Sequence, residues 1–417
     1  MKKTLTVVAL LALVVVPTYA RDVLAPTELV PTDTERATLA ETFLDYRMFE
    51  VNLDQATEIA RTSGQLSLDL GNRVINLDLE VNNLRSPGYK RFATLDDGET
   101  LIELEIPPVS QYKGHVVGFE ESVVRLSIRE NRFRGYVMFG NGESIWFDPA
   151  DRYIDDARPG QVVAYLPQDV ISDPDNAKCG FDEALHAPAA LGLDVERIAP
   201  TGDARQGIRE WEVATEADGE WEDRFGSQGG LDEITDIIND VDGIYISELD
   251  LTVNIAFQHI WTNPNTDPFV GNDAFNNLDD LESYWNFPPP GIRRNAPRRD
   301  MVHHFSGKNF NSGVVGIAYL DAVCRFQNTS SNFSFGISQD FGSNNQQVQL
   351  TAHEMGHNWG SNHLDQSPCN ISCGGFGGSE QIMCSFIQSN PDLTFNDCTA
   401  DQINSHVAQF GNLCLNP

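Results

Sequence analysis

The stretch Thr351–Asp365, TAHEMGHNWGSNHLD, sets the tightest limit on how this chain folds. His353 and His357 stand four residues apart, so on a helix both imidazoles lie on one face and can grip one metal ion. Glu354 sits beside them, within reach of a metal-bound water without being a ligand itself. Gly360 can take a positive φ, which ends the helix and turns the chain back. His363 then returns as a third nitrogen ligand. Three histidines leave the fourth position of a tetrahedral zinc open, as a catalytic centre requires. The competing reading is a surface helix with chance histidines. Three of only nine histidines in the chain fall in this one string, which favours the metal.

At 417 residues the chain has room for two domains or more, and 41% hydrophobic content suffices for ordinary cores. Its net charge of −33 gives a surface that repels nucleic acid and anionic membranes, so neither is an expected partner. Residues 1–20 read as a signal peptide: Lys2 and Lys3, the apolar run Val7–Val16, then Thr18-Tyr19-Ala20 as a small-residue cleavage site. The run is too short to span a bilayer and no other stretch could, so the mature chain is expected to be secreted, without a membrane span. The short Lys-Lys start is of bacterial type. Cys324, Cys369, Cys373, Cys384, Cys398 and Cys414 cluster after residue 320, while Cys179 stands alone upstream. In an exported chain six clustered cysteines imply three disulfides, and the sequence leaves fifteen connectivities open.

Along the chain, a helix is expected near Asp33–Phe49. Leu66, Leu68 and Leu70, then Ile75, Leu77, Leu79 and Val81, alternate about a Gly71-Asn72 turn and read as a hairpin. Ile102, Leu104 and Ile106 continue the alternation, and Tyr112–Asp148 holds further short strands. Residues 150–209 are poor in pattern and read as a linker. A second domain starts near Trp211. Leu231, Ile234, Ile237, Ile238 and Val241 are spaced for an amphipathic helix that Gly243 would end. Strands follow at Leu249–Trp261, Val314–Leu320 and Phe333–Ile337, with helices at Leu278–Trp285, Gln347–Trp359 and Ala400–Phe410. Arg293, Arg294, Arg298 and Arg299 form a basic cluster in a Pro-containing loop, read as a solvated loop ahead of an exosite for acidic substrates.

The histidine string resembles the metzincin metalloprotease signature, which also requires a downstream methionine turn. Gln381–Ser385 supplies it, with Met383 as the apolar floor under the histidines. Asp300–Gly307, Gly316–Cys324 and Phe395–Cys398 resemble segments of the adamalysin (reprolysin) catalytic domain, the family of snake-venom metalloproteases and their membrane-bound relatives. Tyr112–Phe119, Ser122–Ser127 and Arg134–Tyr136 resemble the propeptide of that family. The resemblance covers residues 211–417 and, more loosely, the region before them. It implies an α/β fold: a metzincin catalytic domain with a mixed, mostly parallel sheet and an active-site helix, preceded by a β-rich prodomain. The expected domains are a signal peptide at 1–20, a propeptide at 21–209 with its linker at 150–209, and a catalytic domain at 210–417.

The same resemblance makes Lys178-Cys179-Gly180 a cysteine switch, whose thiolate would fill the fourth zinc position of the latent form. The alternative is a stray thiol or an intermolecular disulfide. It pairs Cys324 with Cys414, Cys369 with Cys398, and Cys373 with Cys384. It matches Glu212, Asp300 and, one residue nearer the last cysteine than usual, Asn416 to a structural calcium site; the alternative is ordinary surface carboxylates. Arg205 and Arg209 are candidate maturation points. Two departures touch the wall beside the metal: Leu364 intervenes before Asp365, and Trp359 stands where the family carries leucine. The expected function is a zinc endopeptidase held latent by its own propeptide, acting on protein or peptide substrates, with Glu354 as general base. The rivals are an inactive or toxin-like binding protein on the same fold, and a zinc hydrolase acting on a non-protein bond.

Overall fold

A computed structural model describes residues 22–171, 173, 176–180, 207–325, 332–374, 381–387 and 393–416. The expected signal peptide, Arg205 and residues 181–206 of the linker lie outside the described residues, as do the side chains of Arg293 and Arg294. Among the described residues no helix is long and apolar enough to cross a membrane.

Two sheets organise the chain. The amino-terminal unit is a ten-stranded sheet, in spatial order Asp22–Leu24, Gln65–Asp69, Val74–Val81, Gln111–Val116, Phe119–Arg129, Arg132–Met138, Ser144–Pro149, Gln161–Tyr165, Arg47–Glu50 and Thr27–Leu29. Its central part is an antiparallel meander, which short turns can join directly. The hairpin about Gly71 forms, with Leu66 opposite Leu77 and Leu68 opposite Ile75. All four leucine and isoleucine side chains are buried on one face. Two expectations are corrected here. The helix near residue 33 is only Asp33–Leu39, because Arg47–Glu50 is drawn into the sheet as a strand. The interval 150–209 is not linker throughout: Gln161–Tyr165 is an internal strand, with Val162 and Val163 buried on opposite faces.

The second sheet has eight strands, in the order Lys178–Cys179, Val314–Ala318, Phe335–Gln339, Met301–Ser306, Arg209–Ala217, Leu251–Trp261, Arg85–Thr94 and Leu101–Glu103. Its middle pairs are parallel, and the pair of Val314–Ala318 with Phe335–Gln339 is antiparallel. The parallel strands are buried on both faces, so they read as continuous apolar runs without alternation. Helix Ser227–Leu249 packs on the sheet through Leu231, Ile234, Ile237, Ile238, Val241 and Ile244, all fully buried. It does not stop at Gly243. It runs on to Leu249 and ends where Asp250 takes a left-handed φ of 53°. The first and the last two strands of this sheet come from before residue 181, so both its edges belong to the amino-terminal part of the chain. Cys324–Cys414, Cys369–Cys398 and Cys373–Cys384 are the disulfides.

Candidate metal centre

Helix Asn344–Asn358 carries the centre. Ser343 starts it with a capping box: its hydroxyl accepts the Gln346 amide, and the Gln346 side chain accepts the Ser343 amide at 3.0 Å. Every residue of the helix is buried, including the polar first turn. The helix stops at Gly360, whose φ of 91° turns the chain. The turn brings the Ser361 carbonyl to His357 Nδ1, which donates to it at 2.7 Å. His353 Nδ1 likewise donates to the Ile382 carbonyl at 2.7 Å. Each bond fixes a tautomer with a bare Nε2 lone pair. Those lone pairs converge: His357 Nε2 lies 3.0 Å from His353 Nε2 and 3.2 Å from His363 Nε2.

Cys179 completes the group. Its Sγ is 3.5 Å from His357 Nε2 and donates to Glu354 Oε2 at 3.6 Å. One ligand atom from each of Cys179, His353, His357 and His363 lies within 4.8 Å of all the others. A tetrahedral zinc with bonds of about 2.05 Å to nitrogen and 2.3 Å to sulfur has N–N edges of about 3.3 Å and N–S edges of about 3.6 Å. The donor spacings fit that ion. Burial drives the histidines towards the neutral form a metal needs. His353 is lowered to about 4, and His357 and His363 fall well below their ordinary value, with neighbouring imidazoles adding to the effect. Burial pushes Glu354 well above the usual carboxylate range, while the Cys179 contact works the other way.

The supporting shell explains the departures noted in the sequence. Met383 is fully buried beneath the helix, and a Cβ on Gly356 would meet its Sδ at 2.7 Å. Gly356 is thus a required gap between the two helical histidines. Gly316 is another, since a Cβ there would meet Glu354 Oε1 at 2.5 Å. Trp359 does not line the centre. It is buried behind the helix, edge-on to Trp211 and His406. Leu364 is also buried, its amide bound to the Met383 carbonyl. Asp365, one place later than the family pattern, accepts the Ser385 hydroxyl at 2.6 Å and ties the methionine turn down. Gly316, Gly356, Ser361 and Ser385 were not singled out from the sequence. A glycine inside a helix where no kink or cap is wanted was the available signal for Gly356.

Cys179 is held by backbone on both sides. Gly180 donates to the Gly316 carbonyl at 2.7 Å, Cys179 to the Ser385 carbonyl at 3.2 Å, and Ile387 to the Ala177 carbonyl at 2.8 Å. Lys178–Cys179 runs parallel to Val314–Ala318. Ala177 is buried among Val315, Leu350 and Ile387.

The remaining candidates sit elsewhere. Asp300 is buried, its Oδ2 accepting the Glu212 amide at 2.8 Å, and Asn416 exchanges backbone hydrogen bonds with Glu210. The three residues of the calcium expectation therefore lie in or against strand Arg209–Ala217. Arg209 is built into that strand and bonds Asn412. Cleavage there would require the strand end to open. The basic cluster is not simply solvated: Arg299 stacks on Trp285 at 4.3 Å, and Arg298 donates to the Leu413 carbonyl.

A buried helix presenting two histidines, a third from the following turn and a carboxylate beside them defines a centre of metallopeptidase type. Comparison with known proteins agrees. Residues 231–364, from helix Ser227–Leu249 to just past His363, match the reprolysin-like metallopeptidases of family M12B. The chain is similar to the snake venom metalloproteinase trimerelysin-2 of Protobothrops flavoviridis, with 24% identity over 181 residues, 43% of this chain and 81% of the relative. Both similarities support a peptidase of the reprolysin type, a family that implies a metal, typically zinc.

Proposed function

We propose that this chain is a secreted zinc endopeptidase made as a latent precursor, with residues 1–20 as export signal, 21–209 as propeptide and 210–417 as catalytic domain. The observation that carries the reading is the seat of Cys179, a sulfur 3.5 Å from His357 Nε2, on a strand that fills the edge beside the histidines. His353, His357 and His363 would hold the zinc, with Cys179 as the fourth ligand of the latent state. Three disulfides suit an oxidising, extracellular setting.

Zinc supplies Lewis acidity towards water and a substrate carbonyl. This chain's own groups do the rest. Glu354 takes a proton from the attacking water and passes it to the leaving amine. Burial raises its proton affinity, which suits it to hold the proton between those two steps. The backbone of Val314–Ala318 and of Ser385–Ile387 binds the plug from both sides. With the plug gone, the same groups hold an extended substrate, and backbone pairing leaves side-chain choice to pockets such as the one Ala177 fills.

The test uses residues 21–417 cut within 181–206, freed of the plug and incubated with a mixed peptide library read by mass spectrometry. We expect cuts that a zinc chelator abolishes and that Glu354→Ala, with zinc retained, does not make. No cuts from a folded, zinc-loaded, plug-free protein would leave an inactive, toxin-like binding protein on the same fold. A structural calcium at Glu212, Asp300 and Asn416 completes the proposal, supported by the contact of Asp300 with the Glu212 amide and by the pairing of Asn416 with the neighbouring Glu210. A calcium-selective chelator should lower the melting temperature without removing zinc; an unchanged melt would discard the site.

A further inference from the structure

The amino-terminal unit does more than carry a plug. We propose that residues 22–171 remain docked as a permanent subunit after the linker is cut, and that inhibition resides only in the strap Asn176–Gly180. The proposal rests on the latent-precursor reading for the cut, and on the following contacts for the docking.

The first contact is the sheet. Arg85–Thr94 extends the second sheet along Leu251–Trp261, an eleven-residue strand that would otherwise be a bare edge carrying Ile255, Phe257 and Ile260. Tyr89 hydroxyl donates to Gln258, and Thr94 pairs with His259 at 2.8 Å. Long apolar edges are templates for aggregation, and folded proteins cover them.

The second contact is an ionic lattice on helix Ser227–Leu249. That helix presents Asp232, Glu233, Asp236, Asp240 and Asp242 to Arg91, Arg125, Arg129, Arg132 and Arg134 of the amino-terminal unit. Asp236, Asp240 and Asp242 are at most 1% exposed, and Arg134 is fully buried between Glu233 and Asp240. Taking the unit away would leave five carboxylates crowded on one helix face without their cations.

The third contact is one shared apolar core. Tyr136, Trp146, Val163 and Tyr165 of the amino-terminal unit belong to the same buried cluster as Trp211, Ile237 and Met383. The fit is close enough to need Gly243, where a Cβ would run into Tyr136 and meet Arg125 Cγ at 2.8 Å. A glycine in mid-helix costs helix stability, so its use here marks a docking notch. The last contact reaches the catalytic helix. Asp148 accepts the Asn344 amide at 2.9 Å and Tyr165 the Asn345 amide at 3.2 Å, so the unit caps the helix that carries the histidines.

None of these contacts involves the strap, and none blocks the groove beside Val314–Ala318. Support and inhibition are separable. A cut in 181–206 frees the strap at one end only and leaves the two-chain particle whole.

The experiment places a specific protease site within 181–206 of the full chain, cuts it, and weighs the product by native mass spectrometry and gel filtration at about 0.5 M salt, where surface pairs are screened and buried ones persist. We expect one particle of whole-chain mass, both for the parent and for Cys179→Ala. The cut Cys179→Ala particle should cleave peptides while intact. Release of residues 22–180 from a folded carboxy-terminal partner overturns the proposal, as does cleavage confined to particles that lack residues 22–171. An intact Cys179→Ala particle with no cleavage overturns the separation of support from inhibition when the plug-free protein cuts peptides, and sinks the peptidase reading instead when that protein is also inactive. Gly243→Met should split or aggregate the cut protein; a Gly243→Met particle as stable as the parent would also overturn it.

Discussion

Single atoms decide the centre. The two glycines beside it are gaps whose filling is predictable. Gly356→Ala improves helix propensity by about 1 kcal/mol, yet its methyl would lie 2.7 Å from Met383 Sδ. We expect the clash to win, lowering the melting temperature and loosening zinc, read by calorimetry and by zinc loss to a competing chelator. Ala at a neutral, exposed helix position would do the opposite. Glu354→Gln keeps the shape and removes the base, so hydrolysis should fall by about 10²–10⁴ with zinc content unchanged by elemental analysis. The histidines and Glu354 were legible because metal chemistry demands a few residue types at fixed spacing, whereas Cys179 was legible only through its resemblance to a family segment. Ser361 and Ile382 were not, because they act through carbonyls that any residue owns.

Among the elements, legibility followed periodicity. The hairpin at Gly71 and the helices at 274–286 and 397–410 appear within a few residues of where alternation or helical spacing puts them. Arg85–Thr94 was missed, because a strand built of Arg, Lys, Ser and Gly shows no apolar alternation. It is held by its neighbour in the second sheet, a strand about 170 places away in sequence. The extension past Gly243 was missed for a related reason: the glycine answers Tyr136, not the helix. The start of the catalytic helix was placed three residues late, since Asn344, Asn345 and Gln346 look like loop until Ser343 and the amino-terminal unit cap them. Ser343→Ala should therefore cost about 1 kcal/mol, seen as a small fall in melting temperature.

At the scale of the whole molecule, the net charge of −33 is not spread evenly, since arginines are concentrated where the two units meet. The pH response of that meeting has a definite sign. Burial pushes Glu233 upward, but Arg134, Arg132, Arg152 and Arg129 pull it below its usual 4.5 to about 2. Its contribution is full above pH 4.5 and lost as pH falls towards 2. Burial raises Asp240 from 3.8 to about 7 against the pull of Arg134 and Arg125. Its ionisation therefore weakens the docked state as pH rises from about 4 to 7. The particle should be most stable in mild acid, between about pH 4 and 6. Urea midpoints taken across pH 3–8 would check this, and a monotonic rise to pH 8 would contradict it.

The strap enters the groove from a fixed point, and that has a consequence for rates. Seven residues, 172–178, lie between Ile171 and Cys179. On the proposed latency, Cys179 in the cut protein would be a competitor on a leash, present at an effective concentration set by leash length and not by how much protein is in solution. Dilution cannot switch the enzyme on. Lengthening the leash can: effective concentration falls roughly as the −3/2 power of length, so eight added Gly-Ser residues should raise peptide cleavage about threefold. Latency in the cut protein then becomes a number that can be tuned one residue at a time.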